Sequence, residues 1–93
     1  MTTKYILKLY ILGSNAASEF ALRNLREIIS HETETIFDLE VIDVRKFPQL
    51  AEEAKIMAVP TLIKKLPEPL RKIIGDLSNK QKVLHSLDLI PQD

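Results

Sequence analysis

Three groups of side chains in this sequence have types and spacings that could do chemistry. The first is the turn Gly13-Ser14-Asn15 with Ser18, where a serine hydroxyl could serve as a nucleophile. A serine needs a base to activate it, and none is evident at a useful spacing. The second group is acidic. Asp43 ends a strand pattern, and Glu52-Glu53 stand side by side. Adjacent helical residues do not face each other, so this pair reads as a solvated helix start, not as a general acid and base. The third group is basic. Lys64, Lys65, Arg71 and Lys72 flank the turn Leu66-Pro67-Glu68-Pro69-Leu70, with only Glu68 to oppose them. Such a turn either protects a strand edge from aggregation or steers an acidic protein partner.

Composition removes most other chemistry. The chain has no cysteine, which excludes disulfides, thiolate catalysis and the usual structural zinc sites. His31 and His85 lie far apart, with no neighbouring carboxylate spacing of a metal site. Gly13 by itself is no phosphate loop. No cofactor is expected. The 13 basic and 13 acidic residues cancel, so there is no general attraction to nucleic acid or anionic membrane. Four basic residues without interleaved aromatics are also a thin footprint for nucleic acid. Zero net charge gives little repulsion between copies, so self-association is expected. Ninety-three residues, 45% of them apolar, make one domain spanning 1–93. No apolar stretch approaches the ~20 residues of a membrane helix. The N-terminus shows no apolar signal core, and the expected location is cytoplasmic.

The elements that must position these residues follow from periodicity. Residues 5–12 form an apolar run that suits a strand buried on both faces. After the turn, Ala21, Leu22, Leu25, Ile28 and Ile29 share one face of a helix over residues 16–30, with Asn15 as its cap. Residues 37–44 alternate as a second strand. A short helix at 47–55 starts with Pro48 and turns Leu50, Ala51 and Ala54 inward. Thr61-Leu62-Ile63-Lys64-Lys65 is a strand entered through Pro60, and residues 71–75 return beside it. Ser78-Asn79-Lys80-Gln81 reads as a capping box for a last helix, with Val83, Leu84, Leu87 and Ile90 inward and Pro91 as its stop. The order is β-α-β-α-β-β-α.

That order, with Ala58-Val59-Pro60-Thr61-Leu62 entering the third strand, resembles a thioredoxin-like α/β fold. In that fold the proline is usually cis and faces a Cys-x-x-Cys, which here would fall at Gly13-Ser14-Asn15. A narrower resemblance rests on Leu7-Lys8-Leu9-Tyr10, Val41-Ile42-Asp43-Val44, Pro48-Gln49-Leu50-Ala51-Glu52-Glu53, Pro60-Thr61-Leu62 and above all Arg71-Lys72-Ile73-Ile74-Gly75-Asp76-Leu77-Ser78-Asn79. On these segments the chain is similar to the KaiB family of the cyanobacterial circadian clock.

The resemblance implies a protein that makes and breaks no covalent bond. It implies two folds for one sequence, the thioredoxin-like βαβαββα and a ground-state βαββααβ that assembles as a dimer or tetramer. It implies docking on the ATPase ring of KaiC, capture of KaiA, and competition with the kinase SasA, whose sensor domain is KaiB-like. Carried over by position, Lys55, Lys64 and Arg71 are expected at the partner surface, and Lys72 joins them from the basic group around the turn. Pro60, Gly75, Asp76, Ser86 and Asp88 are expected in the fold-switching half. Tyr5 and Tyr10 on the first strand read by default as core, and the resemblance places their region near the subunit interface. Where the family often has Gly-Leu-Asp, this chain has Ser86-Leu87-Asp88. Glycine costs a helix about 0.5–1 kcal/mol relative to better helix formers, so serine slightly favours the thioredoxin-like arrangement. This departure, with the short C-terminus, raises an alternative: a KaiB paralogue serving as a protein-binding module in stress response.

Overall fold

The computed structural model describes residues 3–90. Its elements are β1 (Thr3–Ile11), α1 (Ala16–Ser30), β2 (Thr35–Asp43), α2 (Pro48–Glu53), β3 (Thr61–Leu66), β4 (Arg71–Ile74) and α3 (Lys80–Ser86). The order is the one read from the sequence. Boundaries differ by one or two residues at most strand ends, where a side chain can leave the sheet without changing the pattern.

The four strands form one sheet in the order β2-β1-β3-β4. β1 runs parallel to β2, with Lys8 opposite Glu40 and Tyr10 opposite Ile42. It runs antiparallel to β3, with Lys8 opposite Ile63 and Tyr10 opposite Thr61, and a register shift between Ile6 and Leu7. β4 closes the other edge, with Lys72 opposite Ile63. β1 is thus central, which is why its run is apolar on both sides.

Alternation along these strands sorts the core into two unequal parts. Tyr5, Leu7 and Leu9 of β1, Leu62 of β3 and Ile73 of β4 meet Ala21, Leu25 and Ile28 of α1 and Val83, Leu84 and Leu87 at α3. Leu7, Leu9, Leu25, Leu62 and Leu87 have no solvent exposure, and full burial of each is worth about 1.5–3 kcal/mol. On the opposite face, Tyr10, Ile42 and Ile63 pack only with Val44, Ala51, Ala54 and Ile56. The short α2 cannot roof that face, so much of it stays open.

Three details depart from the sequence reading. The cap of α3 is Asn79, not Ser78. Asn79 Oδ1 accepts from the Lys82 N–H at 3.1 Å, while the Ser78 N–H is taken by the Asp76 carboxylate at 3.0 Å. Leu50 turns outward, because α2 is too short to bury more than its alanine side. The last helix ends at Ser86, so Leu87 and Ile90 reach the core from the segment after it. Pro91, read as the stop, lies outside the described residues.

Candidate protein-docking face

At the C-terminal ends of the parallel strands β1 and β2, an open α/β sheet usually offers a ligand crevice. Here it is closed. The Arg45 guanidinium lies over Gly13 so closely that a Cβ there would collide with it, and Gly13 sits at φ +51°. The Asp43 carboxylate accepts from the Arg45 N–H at 2.9 Å, with Arg45 Nε 3.8 Å away. That backbone N–H chiefly holds the Asp43 carboxyl below the usual carboxylate range, helped by the Gly13 N–H and the charges of Arg45 and Lys46. Ser18 is buried, and its Oγ accepts from the Leu12 N–H at 3.1 Å. It fastens the turn and is out of reach as a nucleophile. Asn15 caps α1 through Oδ1, which accepts from the Ser18 N–H at 2.8 Å.

Beside this closed end lies an open apolar face. The Val59-Pro60 peptide is cis, and Thr61 Oγ1 donates to the Ala58 carbonyl at 2.7 Å. The Gly75 N–H donates to the Pro60 carbonyl at 2.9 Å, fixing the Pro60 loop to the end of β4. Gly75 does so at φ +117°, a region other residues avoid. A shallow cleft of about 280 Å³ is lined by Val44, Pro48, Ala51, Ile56, Met57 and Val59 among others. Of its lining, Met57 is 92% exposed, and Phe47 (53%) and Leu50 (38%), next in sequence to Pro48 and Ala51, are exposed as well.

On the far side of α2 the surface becomes basic. Lys8, Lys55, Lys65 and Lys72, with Glu53, Tyr10, Ile63 and Leu70 among the other lining residues, surround a groove of about 370 Å³. The register explains the convergence, since Lys8, Ile63 and Lys72 form one row across β1, β3 and β4. Lys72 Nζ donates to the Ala54 carbonyl at 2.9 Å and so secures the end of α2. Lys55 follows that end at φ +57°. Lys8 pairs with Glu40 at 3.5 Å. Lys55 and Lys65 form no ion pair among the described residues.

The basic residues grouped by the sequence are therefore divided by the sheet. Lys65 and Lys72 face the groove. Lys64 is a correction: its side chain has no solvent exposure in this fold, so it is no part of a basic surface. It points to the α1/α3 side, where Nζ donates to Asp88 Oδ2 at 2.7 Å. The ammonium lies 5.9 Å from the Tyr5 ring centre, and Tyr5 OH donates to the Leu87 carbonyl at 2.7 Å. Lys64 lowers the Asp88 carboxyl, chiefly through that hydrogen bond and then through its charge, with a smaller contribution from Arg71. Burial raises the Tyr5 hydroxyl, and the charges of Asp88 and Glu32 raise it further. Asp88 itself sits at φ +59°. In this fold Tyr5 and Tyr10 are core residues, 4% and 3% exposed. The Asp76 carboxyl is lowered mainly by the Ser78 hydroxyl, and its carbonyl accepts from Asn24 Nδ2 at 2.9 Å. His31 caps α1, with Nδ1 2.8 Å from the Glu27 carbonyl. No cluster of candidate metal ligands occurs among the described residues, and none of their helices is long and apolar enough to cross a membrane.

Met57 and Lys8 are the functional candidates that sequence reasoning missed. Lys8 had a visible signal, as the one charge inside an apolar strand. Met57 had none, because its exposure depends on how the Pro60 loop lies.

A β-α-β-α-β-β-α chain with a cis-proline entering its third strand, and no thiol opposite, is a cysteine-free thioredoxin-like domain. Solved structures share that fold. The N-terminal domain of SasA from Synechococcus elongatus superposes with a TM-score of 0.75 at 20% identity, covering 100% of this chain and 91% of that one. Mitochondrial thioredoxin 3 from Saccharomyces cerevisiae gives 0.73 at 19% identity over 95% of this chain and 80% of its own. The sequence goes further, because the KaiB domain model matches residues 8–89. The chain belongs to the KaiB family. Among its relatives, a circadian clock oscillator protein KaiB from Trichodesmium erythraeum is 55% identical over 96% of this chain and 86% of its own length. One from Prochlorococcus marinus is 58% identical over 92% and 82%.

Proposed function

We propose that this chain is a non-enzymatic circadian clock regulator that acts in the cytoplasm by docking on the ATPase ring of KaiC. Bound there, it antagonises KaiA and displaces a SasA-like kinase. Free, it is a dimer or tetramer in the βαββααβ fold, and the thioredoxin-like fold described above is the docking form. The observation that carries the reading is the joined face around α2. Exposed Met57 lines an apolar cleft, Phe47 and Leu50 are exposed on the neighbouring α2 segment, and Lys55 and Lys65, without an ion pair among the described residues, border the basic groove. An apolar centre supplies binding energy and a charged rim supplies rate and selectivity. The fold shared with the SasA domain supports competition, since two proteins of one shape can occupy one site. Pro60 and Gly75, joined by a hydrogen bond, hold this face in place. Asp76, Ser86 and Asp88 lie in the segments that must be rebuilt between folds.

The test is size exclusion with light scattering, with and without the cognate KaiC hexamer under ATP and ADP, over hours. A free oligomer that moves slowly onto the hexamer is the expected result. A stable oligomer that never joins KaiC removes the clock role and favours a stress-response paralogue with another partner.

A further inference from the structure

Met57 is one of only two sulfur atoms in the chain, the other being Met1, and there is no cysteine. Its side chain is 92% exposed, the highest among the large apolar residues described. It lines the apolar cleft with Val44, Pro48, Ala51, Ile56 and Val59. Nothing shields it from a small oxidant, and its neighbours in the cleft offer no charged side chain. We propose that Met57 is a reversible oxidation site through which peroxide weakens docking at this face. The inference rests on the docking reading above.

The thioether sulfur attacks one oxygen of hydrogen peroxide. An S–O bond forms as the O–O bond breaks, sulfur is oxidised to the sulfoxide, and the peroxide is reduced to water with no net change in protons. The product replaces a flexible apolar group by a strongly polar one. A partner that packs apolar surface against the cleft must then bury a sulfoxide oxygen without a donor. An unsatisfied polar group buried in this way weakens association by about tenfold or more. An external thiol-dependent methionine sulfoxide reductase reverses the step: two thiols become a disulfide, the sulfoxide oxygen leaves as water, and the apolar thioether returns.

The test uses the full chain and hydrogen peroxide, with Met57→Leu as an apolar variant that cannot be oxidised and Met57→Gln as a permanently polar one. Peptide mass mapping is expected to place one oxygen on Met57. Hydrophobic-interaction chromatography is expected to show earlier elution of the oxidised chain and of Met57→Gln, and no peroxide effect on that elution for Met57→Leu. Affinity for the KaiC hexamer is expected to fall about tenfold for oxidised chain and Met57→Gln. Met57→Leu sets its own untreated baseline, and peroxide should leave that baseline unchanged. A methionine sulfoxide reductase should restore both readouts. Equal loss of binding in treated Met57→Leu, or unchanged elution and affinity after oxidation of Met57, would overturn the proposal. Should untreated chain not bind KaiC, the docking reading falls by itself, while mapping and elution still decide whether Met57 controls the polarity of the face.

Discussion

The Lys64–Asp88 pair makes an asymmetric prediction. The Lys64 side chain is completely buried and that of Asp88 is 40% exposed, with 2.7 Å between their charged atoms. At an effective dielectric constant of about 20, two charges at this separation attract by about 6 kcal/mol, and desolvation of the lysine offsets much of this. The partners differ in what each leaves behind. In Lys64→Met the apolar stem keeps its packing and Asp88 can turn to water, so stability should change by less than about 1 kcal/mol. In Asp88→Asn the backbone preference survives, because asparagine tolerates positive φ, and an oxygen acceptor remains. The charge is gone, however, and a buried ammonium stands uncompensated. That change should cost about 3–5 kcal/mol. The exposed residue is therefore the costly one to alter. For a domain of this size each kcal/mol moves Tm by about 4–8 °C. Urea unfolding at 25 °C and pH 7, at one protein concentration, measures all three variants including Lys64→Met/Asp88→Asn, which should recover most of the loss of Asp88→Asn. Equal costs for the two single variants, or a double variant that merely sums them, would refute the reasoning.

The acid limb of stability should follow the carboxylates. Asp43, Asp76 and Asp88 all have folded pKa values below their unfolded ones. Their contribution is thus complete above the unfolded value of about 4 and lost as pH falls through the folded values. Tm should be level from pH 7 to 5 and fall below about pH 4, and Asp88→Asn should reduce that fall; a Tm that rises on acidification would contradict it. Gly13→Ala should cost about 1 kcal/mol through its positive φ, measured by thermal melting. Because Arg45 is 65% exposed and can swing aside, an Arg45→Ala background should leave that cost in place, and full rescue would put the cost in the collision instead. Lys55→Glu and Lys65→Glu should each slow association with KaiC several-fold at low salt, an effect that fades as salt screens the groove; stopped-flow association would show it, and salt-independent rates would count against a steering role.

Element order was legible because each element states its own period. The unbroken run of residues 5–12 belongs to a central strand, and the face from Ala21 to Ile29 needs a helix against it. The docking face was legible only in part. Lys64 and Lys65 are neighbours in sequence, and alternation sends them to opposite sides of β3. A run of charge therefore suggested one basic surface where the sheet makes a groove and a buried pair. Which side each took depended on register with Lys8 and Lys72, and register is a property of three strands, not of one. Ser78 and Asn79 were both plausible caps. The choice was settled by Asp76, whose carboxylate claims the Ser78 N–H first. Asp88 carried no sign of its partner, since Lys64 lies 24 positions away.

The antiparallel ladder between β1 and β3 has a mechanical consequence. Residues 3–43 are stitched together by nine parallel pairs between β1 and β2. Everything from β3 onward joins the sheet through the five pairs that run from Ile6↔Leu66 to Tyr10↔Thr61, interrupted by the shift at Ile6 and Leu7. The sheet is two plates sewn along one short seam. Opening that seam would break the ladder between the plates, while the core that α1 shares with α3 and the bond from Asn24 to the Asp76 carbonyl would still tie them together. The parted ladder would leave a bare edge on β1 that must be covered again, by the same segment or by one in a new register. A change of strand partner at that seam would leave the nine β1–β2 pairs intact.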